Sequence, residues 1–377
     1  MKRRTAPARR RGRLFRLTKR LLQAAILAFL FAAAGSSLFI GLNCFSGRSR
    51  TQPPPRAPHS SIGKLPDYAR AEASTFLTLP EWFIVYNTEE YARFIGTQSP
   101  SRFPYGGSIA QYWRYYGGMC DATKGVYPFS GGNHMMLAVI GSSFTAEYLL
   151  KGLYEKTAGR ITESIAGRDT PEDVFAQKTA LEYGSFMHTV PWYEFPFFSK
   201  VGQLWRQTPA MGPHVLRKWE RKLALTAEFT AKGIYGFLIG VSSGAAYGAE
   251  DLRVYAWIEN APDAIFADSV VKKVEQLGPR SYIVTLPRYE AFTTRAKLLV
   301  KQGVRFVEIA GNDDILVTIL TRGPIEAGDG VKAVLDERFL TDSGSHRIAL
   351  TVPVRSLHDV ILRIEKSGAT VEHIYDY

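Results

Sequence analysis

The sequence has little cysteine and lacks several motifs of common metal and nucleotide sites. Its 377 residues include two cysteines, Cys44 and Cys120, so the chain can form at most one internal disulfide. It contains no HExxH, CxxC or Glu-x-x-His spacing and no phosphate-binding P-loop. We therefore expect neither a disulfide framework nor a metal site, and no cofactor.

Acidic residues are absent from the first twenty positions. Met1 to Arg20 hold ten lysines and arginines, which is most of the formal net charge of +12. Because the excess charge is confined to this tail, the composition does not indicate a basic face on the folded part. We expect no nucleic-acid partner.

Charge of either sign is absent from the next segment, Leu21 to Phe45. At 1.5 Å per residue the segment is long enough to cross a hydrocarbon core of ~30 Å. It predicts a transmembrane helix over 21–45, with residues 1–20 as a cytoplasmic tail. A cleaved signal peptide is the alternative, but the apolar run is longer than a typical h-region. We expect a signal-anchor in the cytoplasmic (inner) membrane of the cell envelope, followed by a Pro-rich tether over 46–64.

A second candidate span covers 229–249, where glycines recur at every fourth position: Gly236, Gly240, Gly244 and Gly248. Each glycine costs a soluble helix ~1 kcal/mol relative to alanine, whereas such stripes let membrane helices pack closely. The stripe predicts a second transmembrane helix, with the lipid bilayer as a partner. A protein partner or a second copy is expected to associate through these helices. The alternative is a buried glycine-rich helix inside the middle domain.

The middle region, 65–228, is predicted to be a helical, aromatic-rich, extracytoplasmic domain. The clearest helix start is Thr170 followed by Pro171 and two acidic residues, and this helix should continue to about His188. Further helices are predicted from Thr88, from Met135 to Tyr154, and from about Pro213. The glycine- and aromatic-rich segment 103–118 is interpreted as a loop.

The C-terminal region, 250–377, shows strand-like periodicity. It predicts a strand over 281–287, a helix over 288–303, a strand over 304–311, and a hairpin partner over 315–322. A loop over 323–345 precedes a second strand, helix and strand. The expected fold class is an α+β membrane protein with an N-terminal transmembrane helix, a mostly helical middle domain and a C-terminal ferredoxin-like α/β sandwich.

Candidates for chemistry lie in the middle region. Glu194 lies among aromatic residues that would raise the pKa of a buried carboxyl group, and His188 is close in sequence, so the two are candidate catalytic residues. The alternative is that His188 stabilises a helix C-terminus and Glu194 is solvated. His134, beside Gly131 and Gly132, is a third catalytic candidate. Trp113, Arg114, Trp192 and Tyr193 are candidate ligand-binding residues, and packing is the alternative for each.

The sequence thus predicts a membrane-anchored envelope protein that binds, couples or assembles with a partner. The alternative is an envelope enzyme that acts on lipid or glycan through Glu194 and His188. The residues decide neither the ligand nor whether the protein is an enzyme.

Overall fold

The computed structural model describes residues 30, 34–45, 61–64, 75–124, 127, 129–243, 253–267, 269–326 and 328–376. A helical region, residues 75–243, precedes a mixed helix and sheet region, residues 253–376, which we call the β region. The helices of the helical region are α1 (Leu79–Thr97), α2 (Tyr105–Thr123), α3 (Gly131–Tyr154), α4 (Arg160–Ala166), α5 (Pro171–Met187), α6 (Phe197–Gln207) and α7 (Val215–Ser243). Residues 34–45 are also helical and end in the segment Ile40–Phe45.

Local capping explains where α5 begins. The Thr170 hydroxyl accepts from the Asp173 amide, and the Asp173 carboxylate accepts from the Thr170 amide, so the two residues form a capping box. Pro171 occupies the first turn, where its missing N–H is not needed. The predicted start of this helix and its end near His188 are confirmed.

The β region contains two antiparallel four-stranded sheets. The first has the strand order β2-β3-β1-β4 and the second β6-β7-β5-β8. The elements are β1 (Arg253–Glu259), β2 (Lys272–Gly278), β3 (Ser281–Pro287), α8 (Glu290–Lys301), β4 (Arg305–Ile309), β5 (Asp314–Thr321), β6 (Lys332–Arg338), β7 (His346–Pro353), α9 (Leu357–Lys366) and β8 (Thr370–Ile374). The region therefore consists of two successive βββαβ units.

The two units match in the details of strand pairing. In the first, Ala256 of β1 pairs with Val284 of β3 and Ile309 of β4. In the second, Val317 of β5 pairs with Leu350 and with Ile374 at the corresponding positions. The pairing register with the fourth strand of each unit shifts one residue after these pairs. The shift lies between residues 257 and 258 of β1 and between residues 318 and 319 of β5. Shared irregularities of this kind identify the units as structural repeats.

Each repeat also packs its helix against the other repeat. Thr293 of α8 accepts from the Ile374 amide of β8 at 2.9 Å. Reciprocally, His358 of α9 donates through Nδ1 to the Val304 carbonyl, at the start of β4, over 2.9 Å. Apolar residues of both sheets and both helices form one shared core.

The helical region covers the other face of the second sheet. The hydroxyls of Tyr86 in α1 and Tyr375 lie 3.1 Å apart in the buried interface. Glu90 accepts from the Thr341 amide at 2.9 Å. Leu316 and Ala349 belong to the same apolar cluster as the aromatic residues of α1 and α2.

The ferredoxin-like prediction is wrong. It requires one βαββαβ sheet with β4 and β5 as a hairpin, whereas β5 pairs with β7 and β8 in a separate sheet. The tight turn after Ile309 directs the chain into the second sheet and forms one isolated bridge, Ile309 with Asn312. The prediction also missed β6, which lies inside the expected loop 323–345.

The prediction of a membrane protein anchored in the cytoplasmic membrane is also wrong. Within the described ranges, every helix is too short or too polar to span a bilayer. About half of the first predicted span, residues 21–29 and 31–33, lies outside the described residues. Its second half is tied to α2 by a disulfide between Cys44 and Cys120.

The second predicted span belongs to α7, whose glycines pack against protein. A side chain at Gly236 would come within 3.0 Å of the Tyr193 carbonyl oxygen, and one at Gly233 within 2.9 Å of the Phe198 ring. Gly240 faces the Tyr193 ring at 3.8 Å. Gly244 and Gly248 lie outside the described residues. The stripe therefore allows α7 to approach the turn before α6.

The segment predicted as a loop, 103–118, is mostly helix α2. Two of its four glycines, Gly107 and Gly118, mark close contacts with the β region, and none of the four breaks the helix. A side chain at Gly118 would meet Leu335 at 3.2 Å, and one at Gly107 would meet Leu340 at 3.2 Å. Close packing against these residues compensates for the low helix propensity of glycine.

Candidate ligand-binding site

Four helices of the helical region line a partly open cavity of about 70 Å³. Helices α1, α3, α5 and α7 each contribute residues at spacings of three and four, so each presents one face. Phe197 of α6 completes the wall. The lining residues are Ile84, Thr88, Tyr91, Ile95, Phe144, Glu147, Tyr148, Lys151, Ala176, Thr179, Ala180, Tyr183, Phe197, Leu225, Glu228, Phe229 and Lys232.

A row of alternating charges crosses this cavity. Lys151 Nζ lies 2.9 Å from Glu228 Oε1, and Lys232 Nζ lies 3.5 Å from the same oxygen. Lys232 Nζ also lies 2.8 Å from Glu147 Oε1. The cross-helix pairs hold α3 against α7, and two ammonium groups converge on one carboxylate oxygen.

Aromatic rings surround the two ammonium groups. Lys151 Nζ is 4.3 Å from the centre of the Tyr91 ring, and Lys232 Nζ is 5.1 Å from that of Tyr183. Such rings attract cations through their electron-rich faces while excluding water. The lysines are therefore held as cations in mostly apolar surroundings.

The pKa shifts in the cavity all favour the protonation state that each group ordinarily has at neutral pH. Burial alone would raise the pKa of Glu228, but Lys151 and Lys232 outweigh it and lower that pKa to about 2. Burial would lower the pKa of both lysines, and the neighbouring carboxylates raise it above its usual value instead. Burial raises the pKa of Tyr91 and Tyr183. All five groups therefore keep their ordinary protonation state at neutral pH.

A second, closed network fixes the other half of α7. Arg217 Nη2 lies 2.9 Å from Asp173 Oδ1, and Arg221 Nη1 lies 2.6 Å from Glu155 Oε1. Both arginines are almost fully buried. Buried pairs of this kind fix geometry, because breaking one leaves an uncompensated charge. They position α7 so that Glu228 and Lys232 reach the cavity two and three turns later.

A histidine links the helical region to the β region. His188, which follows α5, has Nε2 2.7 Å from Glu89 Oε1 of α1 and Nδ1 3.2 Å from Glu290 Oε2 of α8. The hydrogen bond to Glu89 outweighs burial and raises the pKa of His188. Nearby, burial lowers the pKa of His373 to about 3. His188 thus favours its protonated form, whereas His373 favours its neutral form.

The structure separates the residues that the sequence singled out for catalysis. Glu194 is exposed in the turn Trp192–Glu194, whereas His188 contacts Glu89 and Glu290. His134 is buried beside Tyr116, in another part of the helical region. The three are not brought together.

The four predicted ligand-binding residues are also dispersed. Trp113 donates through Nε1 to Thr145 of α3 at 3.1 Å. Arg114 forms a bidentate pair with Glu337 of β6, at 2.6 and 2.8 Å. Trp192 packs near the Tyr235 ring, with 5.3 Å between ring centres, and Tyr193 packs on the glycines of α7.

Sequence reasoning missed the charged residues of the cavity, although they leave a signal. Glu147 with Lys151 and Glu228 with Lys232 are two Glu-x-x-x-Lys pairs within apolar segments. This spacing usually indicates an exposed helix face with an internal ion pair. Here the lysine of each helix pairs across to the glutamate of the other, which depends on how α3 and α7 meet.

Comparison of the chain with models of protein families, with curated proteins and with solved structures finds no match. The geometry of the cavity is therefore the basis for the function proposed below.

Proposed function

We propose that the protein is a binding protein for a small organic anion, such as a short carboxylate, held in the cavity between α1, α3, α5 and α7. The observation that carries the proposal is the convergence of Lys151 and Lys232 on a single oxygen of Glu228 beside the open volume. An ammonium group has three donors. The contacts made within the described part of the chain leave each lysine able to donate to a further oxygen.

The exposure of Glu147 supports an anion over a cation. Its side chain is 38% exposed, against 24% for Glu228, so Glu147 is the carboxylate that an entering anion displaces from Lys232 most easily. The displaced carboxylate moves into solvent, while Glu228 stays between the two lysines. The site then keeps two cations and two anions in contact, so no buried charge loses its partner.

The volume limits the size of the ligand. A cavity of about 70 Å³ holds roughly five water-sized positions, by the rule of about 10–15 Å³ for each. A ligand of about four to six non-hydrogen atoms fits this space. The apolar walls formed by Ile84, Phe144 and Phe229 favour a short hydrocarbon chain attached to the anionic group.

Binding is better supported than catalysis. A general acid or base works best with a pKa near the working pH. The shifts in this cavity move the pKa of the lysines and tyrosines upward and that of Glu228 downward, away from neutrality. These groups recognise charge and do not exchange protons at pH 7.

The test is calorimetric titration with acetate and propionate, with methylammonium as a probe of similar size and opposite charge. We expect the carboxylates to bind and methylammonium not to bind. In the double variant Glu147→Gln/Lys232→Met, which removes a complete ion pair, carboxylate affinity should fall at least about tenfold, or ~1.4 kcal/mol. Lys178→Met, at an exposed position on α5, is the matched control.

The single variant Glu147→Gln sharpens the test, because it removes the competing carboxylate and keeps Lys232. Carboxylate affinity should therefore rise. Binding of methylammonium but not of acetate would overturn the proposal, as would carboxylate affinity that is equal in the double variant and the control.

A further inference from the structure

Two cysteines and a histidine meet in the interior, away from the charged cavity. Cys44 lies in the helical residues 34–45, Cys120 in α2 and His134 in α3. The two sulfur atoms and a ring nitrogen of His134 all lie within 4.8 Å of one another. All three residues are at most 1% exposed. In the structure the two cysteines form a disulfide.

Two contacts of Tyr116 favour one tautomer of His134. The Tyr116 hydroxyl donates to the His134 carbonyl oxygen at 3.3 Å, and it lies 2.9 Å from His134 Nδ1. The tautomer with its proton on Nδ1 satisfies both contacts at once, because Nδ1 then donates to the hydroxyl oxygen while the hydroxyl donates to the carbonyl. In this tautomer Nε2 carries the lone pair. Metal-binding histidines are held in the same way, by a hydrogen bond from the nitrogen that does not bind the metal.

The ring is also fixed in orientation. Phe129 stacks on His134 with 4.4 Å between ring centres and an angle of 13° between planes. A ligand whose ring cannot rotate loses little entropy on binding an ion. This side chain is therefore preorganised for a role that the disulfide does not require.

We propose that reduction of the Cys44–Cys120 disulfide creates a binding site for a thiophilic divalent d¹⁰ cation, with Zn²⁺ as the expected ion. A dithiol reductant supplies two electrons, the S–S bond breaks to give two thiols, and the reductant becomes a disulfide. Binding of the ion releases both thiol protons to solvent. Two thiolates and Nε2 of His134 then form a Cys₂His set with one position open.

Charge balance in the interior selects the dication. Two thiolates, a neutral imidazole and Zn²⁺ sum to zero, whereas a monovalent ion such as Cu⁺ leaves one negative charge buried. An unpaired buried charge is costly. Ligation by Zn²⁺ places the two sulfurs about 3.8 Å apart, from a Zn–S distance of about 2.3 Å and a tetrahedral angle. The helical residues 34–45 must therefore shift slightly from α2.

The experiment compares oxidised and reduced full-length protein, freed of reductant, in a competition titration of Zn²⁺ against a chromophoric chelator. The reduced protein should bind one ion per chain and the oxidised protein none. Co²⁺ bound in place of Zn²⁺ should give the sulfur-to-metal charge-transfer absorption of thiolate ligands.

Three variants separate ligation from folding. Cys44→Ser should abolish binding. His134→Asn should weaken binding at least about 10–100-fold, which is the effect of removing a residue that only hydrogen-bonds to a metal ligand. Tyr116→Phe should weaken it about tenfold, because Nδ1 loses its acceptor. The control is His214→Asn, at an exposed position whose positive φ asparagine tolerates.

The oxidised forms of the His134 and Tyr116 variants provide the check on folding, since they should still unfold cooperatively, at a melting temperature lowered only by the loss of buried hydrogen bonds. If either is unfolded, the Co²⁺ spectrum of reduced wild type decides alone. Equal Zn²⁺ affinity of the oxidised and reduced proteins would overturn the proposal. So would binding of Cu⁺ without Zn²⁺, or full affinity in His134→Asn.

Discussion

Reducing the Cys44–Cys120 disulfide is expected to lower the stability of the helical region by several kcal/mol. The two cysteines are 76 residues apart in sequence. In the chain-entropy model the crosslink removes 2.1 + 1.5R ln n cal/mol/K from the unfolded state, which for this separation is about 15 cal/mol/K, or about 4.5 kcal/mol at 25 °C. That amount is a large fraction of the net free energy of unfolding of a typical domain.

The assay is urea unfolding of oxidised and reduced wild-type protein, followed by tryptophan fluorescence, with a chelator present so that no metal restabilises the reduced form. Comparing the two redox states changes one bond and leaves the packing atoms in place. The double variant Cys44→Ala/Cys120→Ala is the control and should be insensitive to reductant. Equal urea midpoints and slopes for the two wild-type forms would refute the reasoning, because the closed loop would then constrain nothing in the unfolded chain.

Three other substitutions test the packing of the helical region. Gly236→Val should destabilise the protein by about 1–3 kcal/mol in urea unfolding, because the new Cβ would press on the Tyr193 carbonyl. The control is Gly132→Ala, whose Cβ would meet open space and should not destabilise the protein. Equal effects of the two substitutions would contradict this. Arg221→Met should cost about 3–5 kcal/mol, because it leaves a buried carboxylate without its partner, and an unchanged unfolding midpoint would count against the buried network. His188→Gln should lower the free energy of unfolding in a pH-dependent way. Since the folded pKa of His188 is raised, its contribution to stability is complete below about pH 6.5 and disappears as pH rises through the folded pKa. A stability difference from wild type that grows with pH would be inconsistent with the assigned contacts.

Some elements of the fold could be predicted from short-range chemistry. The Thr170 capping box marks the start of α5, and the continuous run of aromatic and β-branched residues within 281–287 marks β3. Both signals are local. Strand β2 was missed because almost all of its side chains are exposed, and an edge strand without a buried face has no apolar alternation to detect.

The glycines of α7 show what local patterns cannot decide. Four-residue spacing indicates that a backbone must approach the helix closely, and this part of the inference agrees with the contact between Gly236 and Tyr193. The spacing does not specify whether the neighbour is another membrane helix or a turn of the same folded region. The neighbour follows from the tertiary structure, which the buried pairs of Arg217 and Arg221 help to fix.

The candidate site was hidden for a similar reason. Glu147, Lys151, Glu228 and Lys232 look like two exposed helical ion pairs in the sequence. Their exchange of partners between α3 and α7 depends on a contact between residues about 80 positions apart, which no periodicity encodes. The aromatic segment around Glu194 attracted attention because of its composition, yet its rings serve mostly to pack the turn before α6.

The two βββαβ repeats have a consequence for the outer surfaces of the β region. Each places its helix in the shared core and forms one hydrogen bond with the other repeat, so the arrangement resembles that of the two subunits of a symmetric dimer. In a true homodimer both copies must present the same outer surface. Two repeats in one chain have no such constraint: the second sheet packs against the helical region, while strand β2 of the first sheet is exposed to solvent. Corresponding outer surfaces of the two repeats therefore meet different surroundings within a single chain.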